Sequence, residues 1–217
     1  MAGGVVVVLG LAQLLLPGLA AQRVRDELSR YGTVRSATIN AFPAVELLWG
    51  HAQSATVTVG QLDMGLSQAS ELLSKATGVG RIDMTAESMR LGSLTMSHAV
   101  MEKRGEELYI RGAVGQADLL AGVPGAMAMQ LIGRVPGGVE VRVTGSLFGV
   151  ASTVDALLSI QEGKLVAQPQ GIPFAGFIKL TLLSDPRIDL QAFDLSPAAA
   201  SAGGSPVYLA RIWAKLR

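Results

Sequence analysis

Apolar and polar residues alternate with period two in several short stretches of the chain. Ala37, Ile39 and Ala41 alternate with Ser36, Thr38 and Asn40, and Ala55, Val57 and Val59 with Thr56 and Thr58. Ile82, Met84 and Ala86 alternate with Arg81, Asp83, Thr85 and Glu87, and the pattern recurs over residues 139–144 and 187–192. Each stretch predicts a strand with one wet face and one dry face. Residues 89–115 predict two long strands joined at the charged turn 102–107, where solvated charges discourage edge-to-edge pairing. Residues 207–216 carry apolar side chains on both faces and predict a last strand. The helical period is rarer. Val24, Leu28 and Tyr31 predict a helix over residues 17–31 that opens on Pro17 and stops at Gly32. Phe42-Pro43 ends a strand and leads into a short apolar turn of helix, Ala44–Trp49. Leu66, Ala69, Leu72, Leu73 and Ala76 share one face of a helix closed by Gly78. Many antiparallel strands with few helices predict an α+β fold, helices packed on one face of a long sheet. The Ala-, Ser- and Gly-rich residues 197–206 predict a loop rather than a domain boundary.

The N-terminus departs from this pattern, because residues 1–22 hold no charged side chain. Its apolar run and the small-x-small triplet Gly18-Leu19-Ala20 read as a signal peptide or membrane anchor over residues 1–21. A single domain over residues 22–217 would follow. The first basic residues, Arg23 and Arg25, come after the run, the reverse of the charge order that favours export. A uniformly apolar, buried helix is the other reading of the same residues.

Composition narrows the function classes. The 217 residues carry 18 Lys+Arg against 17 Asp+Glu, a formal charge of +1, with 49% hydrophobic and 5% aromatic side chains. Disorder needs low hydrophobicity and high net charge. Nucleic-acid binding needs a basic excess and stacking aromatics, so no nucleic-acid partner is expected. The chain has no cysteine, which excludes a disulfide framework, a thiolate metal site and lipid attachment at a lipobox.

Catalytic motifs are missing. There is no G-x-S-x-G elbow, P-loop or G-x-G-x-x-G, and Gly78-Val79-Gly80 lacks the spaced third glycine. His51 and His98 have no ligand neighbour at metal spacing. Glu106-Glu107 and Asp26-Glu27 read as solvated pairs rather than carboxylates facing each other across a cleft. No catalytic residue, metal ligand or cofactor is nominated, and the chain reads as a non-enzyme.

The positive feature is apolar. Residues 112–133 carry one charge, Asp118, beside Leu119, Leu120, Val123, Met127, Met129, Leu131 and Ile132. Methionine adapts to irregular apolar partners, so this segment reads either as a lipid-tail contact or as a broken core helix. Two more clusters surround Phe42, Leu47, Leu48 and Trp49, and Phe174 and Phe177. Trp49 and Trp213 suit a bilayer rim, and core placement is the alternative. Phe42, Leu47, Leu48, Trp49, Leu120, Met127, Met129, Phe148, Phe174 and Phe177 are the candidate lipid-binding residues. Arg81, Arg90, Arg111 and Arg134 are candidates for head-group contact by charge and position alone.

The order of parts, an apolar leader running into a helix, then Phe42-Pro43-Ala44-Val45-Glu46-Leu47-Leu48-Trp49-Gly50, then the strands at 55–59 and 139–143, resembles the LmeA-like phospholipid-binding family of actinobacterial cell-envelope proteins. The resemblance covers most of the chain from Ala21 onward. It implies a tubular lipid-binding, BPI-like architecture, in which a long curved antiparallel sheet wraps a helix and leaves an apolar groove. It further implies an extracytoplasmic protein of the cell envelope, membrane-anchored or secreted, that binds phospholipid and assists envelope lipid or lipoglycan assembly or lipid transfer. Phospholipid as ligand and a membrane surface are the partners so implied. A module that docks an envelope protein through its apolar surface, with no lipid cargo, is the alternative.

Overall fold

The structure is a computed structural model. It describes the backbone of residues 2–91, 94–121, 123, 125–147, 150–171, 179–198 and 205–217, and their side chains from Leu15 onward except at Val45, Leu147 and Val150. It is α+β with most residues in strands. The helix α1 (Ala2–Ser29) runs into β1 (Gly32–Asn40), a 3-10 helix (Ala44–Trp49), β2 (Ala52–Met64), α2 (Leu66–Lys75), β3 (Val79–Leu91), β4 (Leu94–Arg104) and β5 (Glu107–Gly115). A short helix α3 (Gln116–Leu120) leads to β6 (Ala126–Val135), β7 (Gly138–Leu147), β8 (Val150–Gln161), β9 (Lys164–Gln170) and β10 (Leu180–Leu183). β11 (Ile188–Pro197) and β12 (Val207–Leu216) end the described elements.

These strands form two sheets rather than the one expected, in the orders β1-β2-β3-β4-β5-β12-β11 and β10-β9-β8-β7-β6. Pairing is antiparallel except between β2 and β3, which run parallel because α2 carries the chain back between them. A parallel neighbour needs such a crossover, so this one strand-helix-strand unit departs from the purely antiparallel expectation. Of the two readings of residues 112–133, the broken helix is not what forms: the described residues are the end of β5, α3 and most of β6.

A crease crosses the first sheet. In β2 the buried positions are Ala55, Val57 and Val59, then Leu62 and Met64; in β3 they are Ile82, Met84 and Ala86, then Met89 and Leu91; in β4, Met101 and Ala99, then Met96. The parity changes at the same level in all three strands, with Gly60, Glu87 and His98 between paired neighbours. Arg35 is the matching extra residue of β1. The β2–β3 and β3–β4 ladders stay in register across this line, and register shifts flank it between β1 and β2 and between β4 and β5; such irregularities bend a strand and increase the local twist. His98 adopts φ 50° there, a left-handed conformation that histidine tolerates better than most side chains. On the outer surface the Arg35 guanidinium passes over Gly60 to reach Glu87, Nη2 donating to Oε2 at 2.6 Å. The crease stops at β5, where Gly112 faces it; a Cβ there would lie 2.9 Å from Met96 Cβ. Because the strands bend, their buried side chains line a hollow on the inner face.

Candidate functional site: two apolar cavities

α2 spans the hollow of the first sheet without filling it. Its apolar face points inward, while the Gly65 N–H donates to Gln68 Oε1 at 2.8 Å to close its first turn. Its last turn is held by Lys103 of β4, a buried side chain at 1% exposure. Lys103 Nζ donates to Ala76 O at 3.2 Å and Val79 O at 2.9 Å. A cation is favourable against the carbonyl end of a helix, yet burial pushes the Lys103 pKa below its ordinary value. Gly78 follows, and its place in Gly78-Val79-Gly80 has a packing cause: a Cβ there would sit 2.2 Å from Gly50 O.

Between α2 and the sheet lies a cavity of about 580 Å³, partly open to solvent. Leu66, Leu72 and Leu73 of α2 face Val57, Met84 and Ile110 of the sheet across it, and Val24 and Leu28 of α1 border it. Its only ionisable lining groups among the described residues are Glu27 and Lys75. Lys75 is paired with Glu71 at 2.8 Å, and that bond raises the Lys75 pKa and lowers that of Glu71. Five methionines, Met64, Met84, Met89, Met96 and Met101, line this cavity. Four of them form two cross-strand pairs, Met84 with Met101 and Met89 with Met96. Unbranched thioethers fit irregular apolar partners, so this wall suits a flexible chain.

A second cavity, about 560 Å³, lies between the second sheet and β12, with α3 at its border. Val141, Val154, Leu158 and Leu165 supply much of its wall; Asp118, Ser146, Ser152 and Thr181 are its polar lining residues. The Tyr208 hydroxyl donates to Met129 O at 3.2 Å and ties β12 to β6 beside it. Burial pushes the Tyr208 phenol above its ordinary pKa.

The candidate residues divide among these places. Leu120 and Met129 line the second cavity. Leu47 packs against the core. Phe42, Leu48, Trp49 and Met127 are exposed by 66–71% and belong to the described lining of neither cavity. The reasons are local. The 3-10 helix turns Ala44 and Leu47 inward at its three-residue period, which throws Leu48 and Trp49 outward. Met127 is the unpaired residue of a bulge between Ala126 and Ala128 and points away from the cavity that receives Met129. Phe148, Phe174 and Phe177 lie outside the described residues. Trp213 is half-exposed on the outer face against Tyr109, ring centroids 5.3 Å apart.

Three of the four candidate head-group arginines are engaged by carboxylates. Arg81 Nε donates to Asp83 at 2.7 Å, Arg90 forms a two-pronged bond with Asp63, and Arg134 Nη2 donates to Asp194 at 2.6 Å. The guanidinium beside Asp63 holds its carboxyl below the usual range. Arg111 stands opposite Arg211, which also bonds Asp194, at 2.8 Å. None of the four lines a cavity among the described residues. Sequence reasoning missed the methionines of β3 and β4; their recurrence at 84, 89, 96 and 101 was the available signal. Among the described residues no group of three or more His, Asp or Glu is placed to hold a metal, and no helix is long and apolar enough to cross a membrane. No protein-family model, curated protein or solved structure matches the chain.

Proposed function

We propose that this protein is a non-enzymatic phospholipid-binding protein of the cell envelope, which holds acyl chains in its two cavities and assists lipid transfer or envelope lipid assembly. One observation carries the proposal: two neighbouring cavities of 580 and 560 Å³ walled almost wholly by aliphatic side chains and methionines. Each CH₂ moved from water into such a wall contributes about 0.8 kcal/mol, so ten methylenes supply several kcal/mol with no polar contact. Binding of this kind needs no nucleophile or metal. In this reading the creased sheet over α2 is a tubular lipid-binding architecture of the kind the LmeA-like resemblance implies.

The exposed Phe42, Leu48 and Trp49 supply the membrane contact. Leu48 and Trp49 stand on the 3-10 helix and Phe42 just before it; that helix packs against α1, and α1 itself exposes Leu15 and Leu19. Aromatic rings of this kind prefer the membrane-water interface, and in this reading the uncharged residues 1–22 supply an extracytoplasmic anchor. The same patch favours a second reading, a surface that docks an envelope protein.

Lipid extraction from purified protein followed by mass spectrometry tests the proposal. Co-purifying phospholipid, or uptake of labelled phospholipid by delipidated protein, is the expected result. A preparation that carries none and takes up none refutes it and leaves the docking module.

A further inference from the structure

We infer that the two cavities are the two chain sites of one diacyl lipid, one acyl chain in each, on the two sides of the wall formed by Leu94, Leu183 and Ile212. The inference rests on the lipid-binding reading and specifies its ligand.

Volume is the first argument. A methylene occupies roughly the volume of a water molecule, ~30 Å³, so a cavity of 580 Å³ or 560 Å³ admits one long acyl chain. A single-chain lipid fills one cavity and leaves the other apolar and empty. The near equality of the two volumes matches a ligand with two similar chains.

Adjacency is the second argument. Leu94, Leu183 and Ile212 line both cavities, so three aliphatic side chains from β4, β10 and β12 form a wall common to the two. None of the three is charged or polar, so a hydrocarbon chain on either side of them meets an apolar wall. The ionisable lining groups lie elsewhere, Glu27 and Lys75 in the first cavity and Asp118 in the second. Two tails of a single molecule can therefore separate at this wall with both remaining in hydrocarbon surroundings.

The experiment uses the full chain, delipidated, with two probes: oleate, and dioleoyl phosphatidylglycerol supplied from vesicles of that lipid. Native mass spectrometry counts bound molecules. Wild type is expected to bind two oleates or one phospholipid, each displacing the other. Ala69→Phe fills the first cavity from α2, and Ala156→Phe fills the second from β8. Either variant is expected to bind one oleate and to lose at least ~100-fold in phospholipid affinity, since a whole chain's transfer energy is removed. Leu72→Trp and Ala167→Phe repeat the two blocks where thermal unfolding shows a first variant to be misfolded. Two phospholipids per wild-type chain, a single oleate site, or phospholipid binding that survives either block overturns the partition while lipid binding itself stands. Failure of wild type to bind either probe overturns both.

Discussion

Met89→Ala enlarges the first cavity from the sheet side. Met89 is 1% exposed and faces Met96, itself fully buried, across the β3–β4 ladder. A buried Met→Ala change costs about 2–5 kcal/mol. The lower end, about 2–3 kcal/mol, applies because one side of this thioether already borders open space and has few partner atoms to lose there. That loss is expected in delipidated protein, measured by urea unfolding. In lipid-loaded protein the loss should be smaller, because a flexible chain can occupy part of the vacated space. The three heavy atoms removed leave room for about two methylenes at ~30 Å³ each. At about 0.8 kcal/mol per methylene, chains two carbons longer should gain roughly 1.6 kcal/mol in the variant relative to wild type, about 15-fold in affinity. Competition between phospholipids of graded chain length reads this directly. An unchanged length preference, together with equal destabilisation in the loaded and empty states, would refute the placement of an acyl chain against Met89.

Three further outcomes test separate parts of the structure. Replacing Leu48 and Trp49 together by Ser should leave stability within about 0.5 kcal/mol, as for other exposed positions, and should abolish co-sedimentation with phospholipid vesicles; retained co-sedimentation would remove these residues from the membrane contact. Lys103 has a folded-state pKa below its unfolded value, so the unfolded chain binds more protons between the two values. Stability contributed by Lys103 therefore rises with pH toward the ordinary lysine range and is lost as pH falls through the folded-state pKa; wild type should gain on Lys103→Met across that window in denaturation at neutral and alkaline pH. Asp194→Ala should release Arg134 and Arg211 and leave Arg211 opposite Arg111, costing about 1–3 kcal/mol, more at low salt than at high salt; a salt-independent loss would mean that packing, not charge, is what Asp194 supplies.

The strands were legible only as far as their alternation held. The period-two pattern ends at Val59 and at Glu87, yet β2 continues to Met64 and β3 to Leu91. The missing halves lie beyond the crease, where the buried set shifts by one position at Gly60 and Glu87, and a fixed period cannot follow that shift. In β8 the inward residues Ser152, Val154, Ala156 and Leu158 do alternate with outward ones. Small side chains give that alternation little hydropathy contrast, so the strand went unread. The helices fared better in their inward faces, Val24 and Leu28 and Leu66 through Ala76, but α1 starts at Ala2 and carries Pro17 inside it rather than opening on it. The candidate residues scatter most where local geometry decides direction. Aromatic residues drew attention to Phe42 and Trp49, but a 3-10 turn sends Trp49 outward. The parallel β2–β3 pair was hidden because its crossover helix is the only one of its kind among the described elements.

The Arg35–Gly60–Glu87–His98 line also separates two properties that are usually bound together in a pocket. The lining chemistry is fixed by inward residues such as Met84 and Met89, whereas the line at which the buried set shifts carries Arg35, Glu87 and His98, all facing the solvent. Substitutions at the crease can therefore widen or narrow the hollow while every wall side chain stays the same. Capacity can be tuned from outside the molecule, independently of what the interior is made to prefer.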